Sequence, residues 1–258
     1  MKRDQSEAGE QLPGCFVVLE GTEGAGKTSQ ALRLRDRLEK AGRLAVCTRE
    51  PTEGTPIGSL LNRILHNHTK VAEEALPLLF AADRMDHTRN VIEPQLRRGA
   101  IVICDRYVYS SLAYQGAGMA RRFDLKWLKA INRYARHPDI VFFLDITPEE
   151  GLRRIGKWSQ LADFEAPKGQ KRMSDDEYFQ ELDTQKKIRE AYHRLFSVVL
   201  PPSALSTHPK TAHIDGSVVV GIDASLPFET VHEQIFGYLQ EFVKQKAKAA
   251  KAPAQLLQ

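Results

Sequence analysis

Thirteen consecutive residues constrain this chain more than any other stretch: Phe16-Val17-Val18-Leu19-Glu20-Gly21-Thr22-Glu23-Gly24-Ala25-Gly26-Lys27-Thr28. An apolar run of strand type passes through spaced glycines into a helix-forming segment. Gly21, Gly26, Lys27 and Thr28 meet the pattern G-x-x-x-x-G-K-[ST], and Ala31, Leu32, Leu34 and Leu38 supply the helical spacing that must follow it. Glycine lets such a loop turn its amide N–H groups inward without a Cβ clash. With the positive end of the following helix, those groups form an anion nest. Gly21 to Thr28 is thus expected to cradle a nucleoside triphosphate, with Lys27 reaching the β- and γ-phosphates and the Thr28 hydroxyl ligating Mg²⁺. A match by accident in a chain of this length is expected on the order of one time in a hundred.

The 258 residues suit one large α/β domain. A net charge of +4, with basic and acidic residues interleaved, fits an anionic small molecule and gives no reason to expect specific nucleic-acid binding. Cys15, Cys47 and Cys104 lack metal-type spacing and lie in or beside apolar strand candidates, which predicts free thiols and a cytoplasmic protein. Met1 to Gly14 is polar, unlike a signal peptide, and no apolar run reaches membrane-spanning length.

Taken in order, residues 1–13 read as a disordered leader, 14–243 as the folded domain and 244–258 as a basic tail. The helix from Lys27 stops near Gly42, and a second strand, Leu44 to Thr48, leads into Arg49-Glu50-Pro51. Helices follow to Arg98, with Pro77 expected to kink the second; Phe80 and Arg84, at i and i+4, share a face. The apolar run Ala100 to Cys104 ends in Asp105-Arg106-Tyr107, placing a carboxylate and a guanidinium at the end of a central strand. Val108 to Gln115 and Leu125 to Arg136 are expected helices, and Pro138 to Asp145 is an expected fourth strand. Thr147-Pro148 starts another helix. Gly156 to Arg172 departs from this pattern and gathers Lys157, Lys168, Lys171 and Arg172, as a plain surface loop or as a mobile lid. Ala212 to Asp215 and Val218 to Asp223 compete to be the fifth strand, the latter favoured by the helix that follows it from Pro227 to Val243. Strands alternating with helices predict a five-stranded parallel sheet covered on both faces.

In these motifs the chain resembles the thymidylate kinases, nucleoside monophosphate kinases of the P-loop NTPase fold with a lid, which phosphorylate dTMP to dTDP. Five stretches carry the resemblance: Leu19 to Thr28, Thr48 to Pro51, Leu79 to Arg84, Asp105 to Gly116, and Pro138 to Asp145. The resemblance implies ATP as donor, Mg²⁺, and a homodimer packed through helices. It implies that Glu23 binds the dTMP 3′-hydroxyl, that Arg49 holds the monophosphate and that Phe80 stacks on thymine. Arg84 would reach the base or phosphate, and Ser111 and Gln115 the base edge. Arg106 would bridge donor and acceptor phosphates, Asp105 would hold water on Mg²⁺, and Tyr107 would crowd the sugar C2′.

Some members of that family carry a catalytic arginine at the position of Gly24, and others draw their cations from the lid. Glycine here assigns the chain to the second group, with Arg153, Arg154, Lys157, Lys168, Lys171 and Arg172 as candidates and Arg172 as first choice. Two other readings remain: a phosphotransferase of the same fold acting on another monophosphate or a nucleoside, and a non-catalytic nucleotide switch. Against the switch, the chain has neither D-x-x-G after the loop nor N-K-x-D.

Overall fold

The computed structural model describes residues 13–66, 68–118, 123–160, 175–197 and 210–251. Its strands are β1 (Cys15–Glu20), β2 (Ala45–Arg49), β3 (Ile101–Asp105), β4 (Ile140–Asp145), β5 (Lys210–Ile214) and β6 (Ser217–Asp223), in the spatial order β2-β3-β1-β4-β6-β5. The first five in that order are parallel, and β5 is antiparallel to β6. The expected parallel sheet therefore has β6 as its fifth strand and carries a sixth at one edge. The two candidate segments do not compete, because Asp215 and Gly216 both have positive φ, 48° and 82°, and close a two-residue hairpin between them. Asp-Gly is the pair such a turn selects.

The helices are α1 (Lys27–Lys40), α2 (Pro56–Leu65), α3 (Ala75–His87), α4 (Glu93–Arg97), α5 (Val108–Ala113), α6 (Leu125–Ile131), α7 (Pro148–Gln160), α8 (Asp175–Phe196) and α9 (Phe228–Lys251). Strands β1, β3 and β4 are buried along their whole length, as continuous apolar runs in a doubly covered parallel sheet should be. Side chains alternate between two cores. Cys15, Val17 and Leu19 join Leu34 and Leu38 of α1 and Ile235 and Leu239 of α9. Phe16 and Val18 face Leu112 of α5, Leu128 of α6, and Ile188 and Tyr192 of α8. The alternation brings Glu20, last residue of β1, to the α5 and α8 side, where its bonds are made.

Three helix expectations need correction. Pro77 lies in the first turn of α3, where amides have no helical acceptor, so it forces no kink. The helix instead loosens at Thr88–Ile92, a π-helical turn leading into α4. Helix α6 stops at Ile131 rather than Arg136; Asn132 turns back to donate to the Leu128 carbonyl (2.8 Å) while its oxygen accepts from Arg84. Helix α9 runs past Val243 to Lys251, Ala247 is buried, and Lys246 pairs with Asp139 (2.7 Å) and bonds the Gly14 carbonyl (2.9 Å).

Candidate active site

The loop between β1 and α1 takes its shape from glycine. Gly21, Gly24 and Gly26 have φ of 148°, 72° and 86°, and two of them also lie against backbone. A Cβ on Gly21 would sit 2.5 Å from the Leu144 carbonyl oxygen, and one on Gly24 would sit 2.1 Å from that of Gly151 in α7. At position 24 the backbone of this chain, left-handed and pressed against Gly151, leaves no room for a side chain. Gly24→Ala is expected to cost at least about 1–2 kcal/mol from the left-handed backbone alone, read as a lowered melting temperature; an unchanged melting temperature would contradict this packing.

Lys27 curls over the loop, donating from Nζ to the carbonyls of Gly21 (3.0 Å) and Thr22 (2.7 Å). Burial, reinforced by the neighbouring charge of Arg106, lowers its ammonium to about 8. Thr28 Oγ1 donates to the Asp105 carboxylate, which ties the start of α1 to the end of β3. These two oxygen donors suit Mg²⁺, which keeps several waters and takes few protein ligands. Arg49 is level with Asp105 in the strand register and forms an exposed ion pair with Glu53 (3.1 Å). Around them a cleft of about 300 Å³ opens, lined among others by Thr28, Arg49, Thr52, His87 and Asp105.

On the other side of the loop, Glu23 meets Arg106 and Tyr114. Arg106 Nη2 donates to Glu23 Oε1, Tyr114 donates its hydroxyl to the same oxygen (3.2 Å), and the guanidinium lies 5.0 Å from the centre of the Tyr114 ring. Burial alone would raise the Glu23 carboxyl, but the charges of Arg106 and Lys27 outweigh it and the net shift is downward. Arg106 itself has a φ of 68°, and its N–H bonds the Leu19 carbonyl (3.0 Å).

Tyr107 does not stand at this cleft. Its side chain is 0 % exposed, its ring packs edge-on against Phe16 at 5.0 Å, and its hydroxyl is bonded to Thr88 (3.0 Å). The tyrosine beside the Glu23 carboxylate is Tyr114. Sequence spacing held the signal: Ser111, Tyr114 and Gln115 fall at i, i+3 and i+4.

Arg84 is 1 % exposed, and each of its three nitrogens donates a hydrogen bond. Nε donates to Glu50 (2.8 Å), Nη1 to Asn132, and Nη2 to Ser111 Oγ (2.9 Å) and the Tyr107 carbonyl (3.4 Å). His87, one residue from a full turn on, bonds both Glu50 (3.1 Å) and Thr48 (2.6 Å). Arg84 and Ser111 are thus brought together, with Phe80 one helical turn before Arg84. Gln115 is buried, and among the described residues its Oε1 has no hydrogen-bond partner, an acceptor available for a ligand's donor. Glu50, His87 and Asn132 escaped the sequence reading because partners 34 to 48 residues away identify them.

Glu20 also escaped it. Its buried carboxylate accepts from the N–H groups of Tyr107 (2.9 Å) and Ser110 (3.1 Å) and from the hydroxyls of Ser110 (2.6 Å) and Tyr192 (2.8 Å). Burial raises its pKa, an effect these hydrogen bonds only partly offset. It clamps the turn after Arg106 to the strand that precedes the phosphate loop. Among the lid candidates, Arg153 and Arg154 both pair with Glu150, and Arg154 also donates to the Ala224 carbonyl (2.9 Å). Arg172, Lys168 and Lys171 lie outside the described residues, as does the Lys157 side chain.

A family model described as thymidylate kinase matches residues 19–200, most of the chain. The chain belongs to the thymidylate kinase family. Similar proteins include a probable thymidylate kinase of Thermococcus kodakarensis, 38% identical over 233 residues that span 87% of this chain and 97% of that protein. A thymidylate kinase of Bacillus pumilus is 32% identical over 90% of this chain and 98% of its own length, and one of Thermomicrobium roseum is 36% identical over 89% and 96%. The matched span of this family member takes in the phosphate loop, the Asp105 to Gly116 segment and both helices α7 and α8. Among the described residues, no helix is long and apolar enough to cross a membrane.

Proposed function

We propose that this chain transfers the γ-phosphate of ATP to dTMP, giving dTDP for dTTP synthesis. The observation that carries the reading is the sharing of residues between two half-sites. Thr28 and Asp105 join the loop to β3, and the next residue, Arg106, reaches back to Glu23 inside the loop. A donor held by Lys27 and the loop amides would therefore lie within one residue of an acceptor held by Glu23 and Arg106. Phosphoryl transfer asks the protein for little beyond such positioning and charge.

In this reading Arg49 exchanges Glu53 for the acceptor phosphate, at little expense because exposed ion pairs contribute about 0–1 kcal/mol. Arg106 spans the two phosphates. Phe80 stacks on thymine, and Arg84, Ser111 and Gln115 face its polar edge. Tyr114 takes over the sugar-crowding role first expected of Tyr107. Thr28 and Asp105 would hold Mg²⁺, directly or through its waters, and the ion would supply neutralisation of phosphate charge. Arg172 is the proposed lid cation. A coupled assay with ATP tests the whole: turnover with dTMP well above dUMP, UMP and CMP is expected. Another preferred acceptor, or no turnover at all, would overturn it.

A homodimer is the assembly we propose, and a cytoplasmic location agrees with three free cysteines. Met85 of α3 (47 % exposed) and Tyr134 (66 % exposed) flank a groove of about 540 Å³, and Leu78 lies two turns before Met85 on the same helix. Light scattering on the purified protein should give twice the chain mass, and Met85→Glu should lower it. A wild-type monomer would refute the assembly.

A further inference from the structure

Glu23 is held from two helices that the reaction itself does not involve. Its N–H donates to Gln185 Oε1 of α8 (3.2 Å), so this loop amide is turned away from the phosphate side. Its carbonyl lies against α7, where a Cβ on Gly151 would come within 2.3 Å of the oxygen. The peptide planes before and after Glu23 are thereby both fixed, and with them φ, ψ and the direction of its Cα–Cβ bond. Gln185 is itself buried, and its Nε2 donates to Glu181 (2.6 Å), one turn earlier on α8. That second bond orients the amide, leaving its oxygen as the atom that faces Glu23.

We propose that Gln185 is a positioning residue for the acceptor: by fixing the Glu23 peptide it keeps the Glu23 carboxylate on Arg106 and Tyr114, where the acceptor's 3′-hydroxyl meets it. The proposal rests on the reading of Glu23 as the 3′-hydroxyl ligand. Gln185 touches neither substrate; it acts through one backbone hydrogen bond. Removing its oxygen lets the Glu23 carboxylate drift, which costs most with an acceptor bearing a 3′-hydroxyl, because Arg106 keeps its bond to the Leu19 carbonyl and its contact with Tyr114.

The test compares dTMP with 3′-deoxythymidine monophosphate as acceptors. Gln185→Ala should lower kcat/KM for dTMP roughly fivefold to tenfold, as expected for loss of a hydrogen bond, and change that for the 3′-deoxy acceptor by less than about twofold. Gln185→Glu sets two carboxylates side by side with Glu181 and should also fail. The exchange Glu181→Gln with Gln185→Glu restores donor and acceptor and should recover the preference. Equal losses with both acceptors, or no recovery by the exchange, would reduce Gln185 to packing and overturn the proposal. Glu23→Ala separates the two failures. If it abolishes the preference while Gln185→Ala keeps it, the proposal alone falls; if Glu23→Ala retains the preference, the reading of Glu23 falls and takes the proposal with it.

Discussion

Lys27→Ala lowers turnover on the order of 10²–10³-fold, the scale seen when one positioned donor to transition-state charge is removed, and leaves the fold intact. Both halves follow from the same burial. The ammonium is almost enclosed by the loop and hydrogen-bonded to two of its carbonyls, so it is aimed at whatever the loop encloses. Enclosure also disfavours the charge, as its lowering from 10.5 to about 8 records. A group whose protonated form is weakened by folding stabilises the fold less at neutral pH than at high pH. Its removal therefore costs little in stability near pH 7. Steady-state turnover and thermal unfolding of the same preparation check this, and near-normal turnover in a folded variant would remove the phosphate-loop assignment.

Tyr107→Ala and Tyr114→Ala separate by readout. Tyr107 is a fully buried aromatic between Phe16 and Thr88, and its truncation should cost about 3–5 kcal/mol of stability, as for other buried aromatics, measured by denaturant unfolding. Acceptor selectivity should not change in the protein that remains folded. Tyr114→Ala should do the reverse: it frees space beside Glu23 and Arg106, raises the use of UMP relative to dTMP, and costs less stability because the residue is less completely buried than Tyr107. Relaxed selectivity in Tyr107→Ala, with none in Tyr114→Ala, would return the steric role to position 107.

The difference between these tyrosines shows where sequence reading stops. Both lie in the stretch Asp105 to Gly116, and nothing in residue type distinguishes them. The left-handed turn at Arg106, together with Glu20 bonding the Tyr107 amide, swings one ring into the core. The start of a π-helical turn carries the other toward the loop. Arg84 is a similar case: helical spacing gives its face, and only the packing of α3 against α5 and the residues that follow β2 and α6 reveals that each of its three nitrogens already donates. The two segments around Asp215-Gly216 read in sequence as rivals for one strand, because their antiparallel pairing across the turn exists only in the folded sheet.

Local chemistry determined what could be read from the chain alone. Glycine spacing set the phosphate loop, apolar runs set the buried strands, and alternation with helices set a parallel sheet, since each depends on neighbours within a few residues. The tertiary structure decided which polar groups meet: Thr28 with Asp105, Glu23 with Arg106 and Gln185, Arg84 with Glu50. Those pairs lie 34 to 162 residues apart. They exist because the parallel crossovers return successive strand ends to one edge of the sheet, a closeness in space that no separation along the chain records.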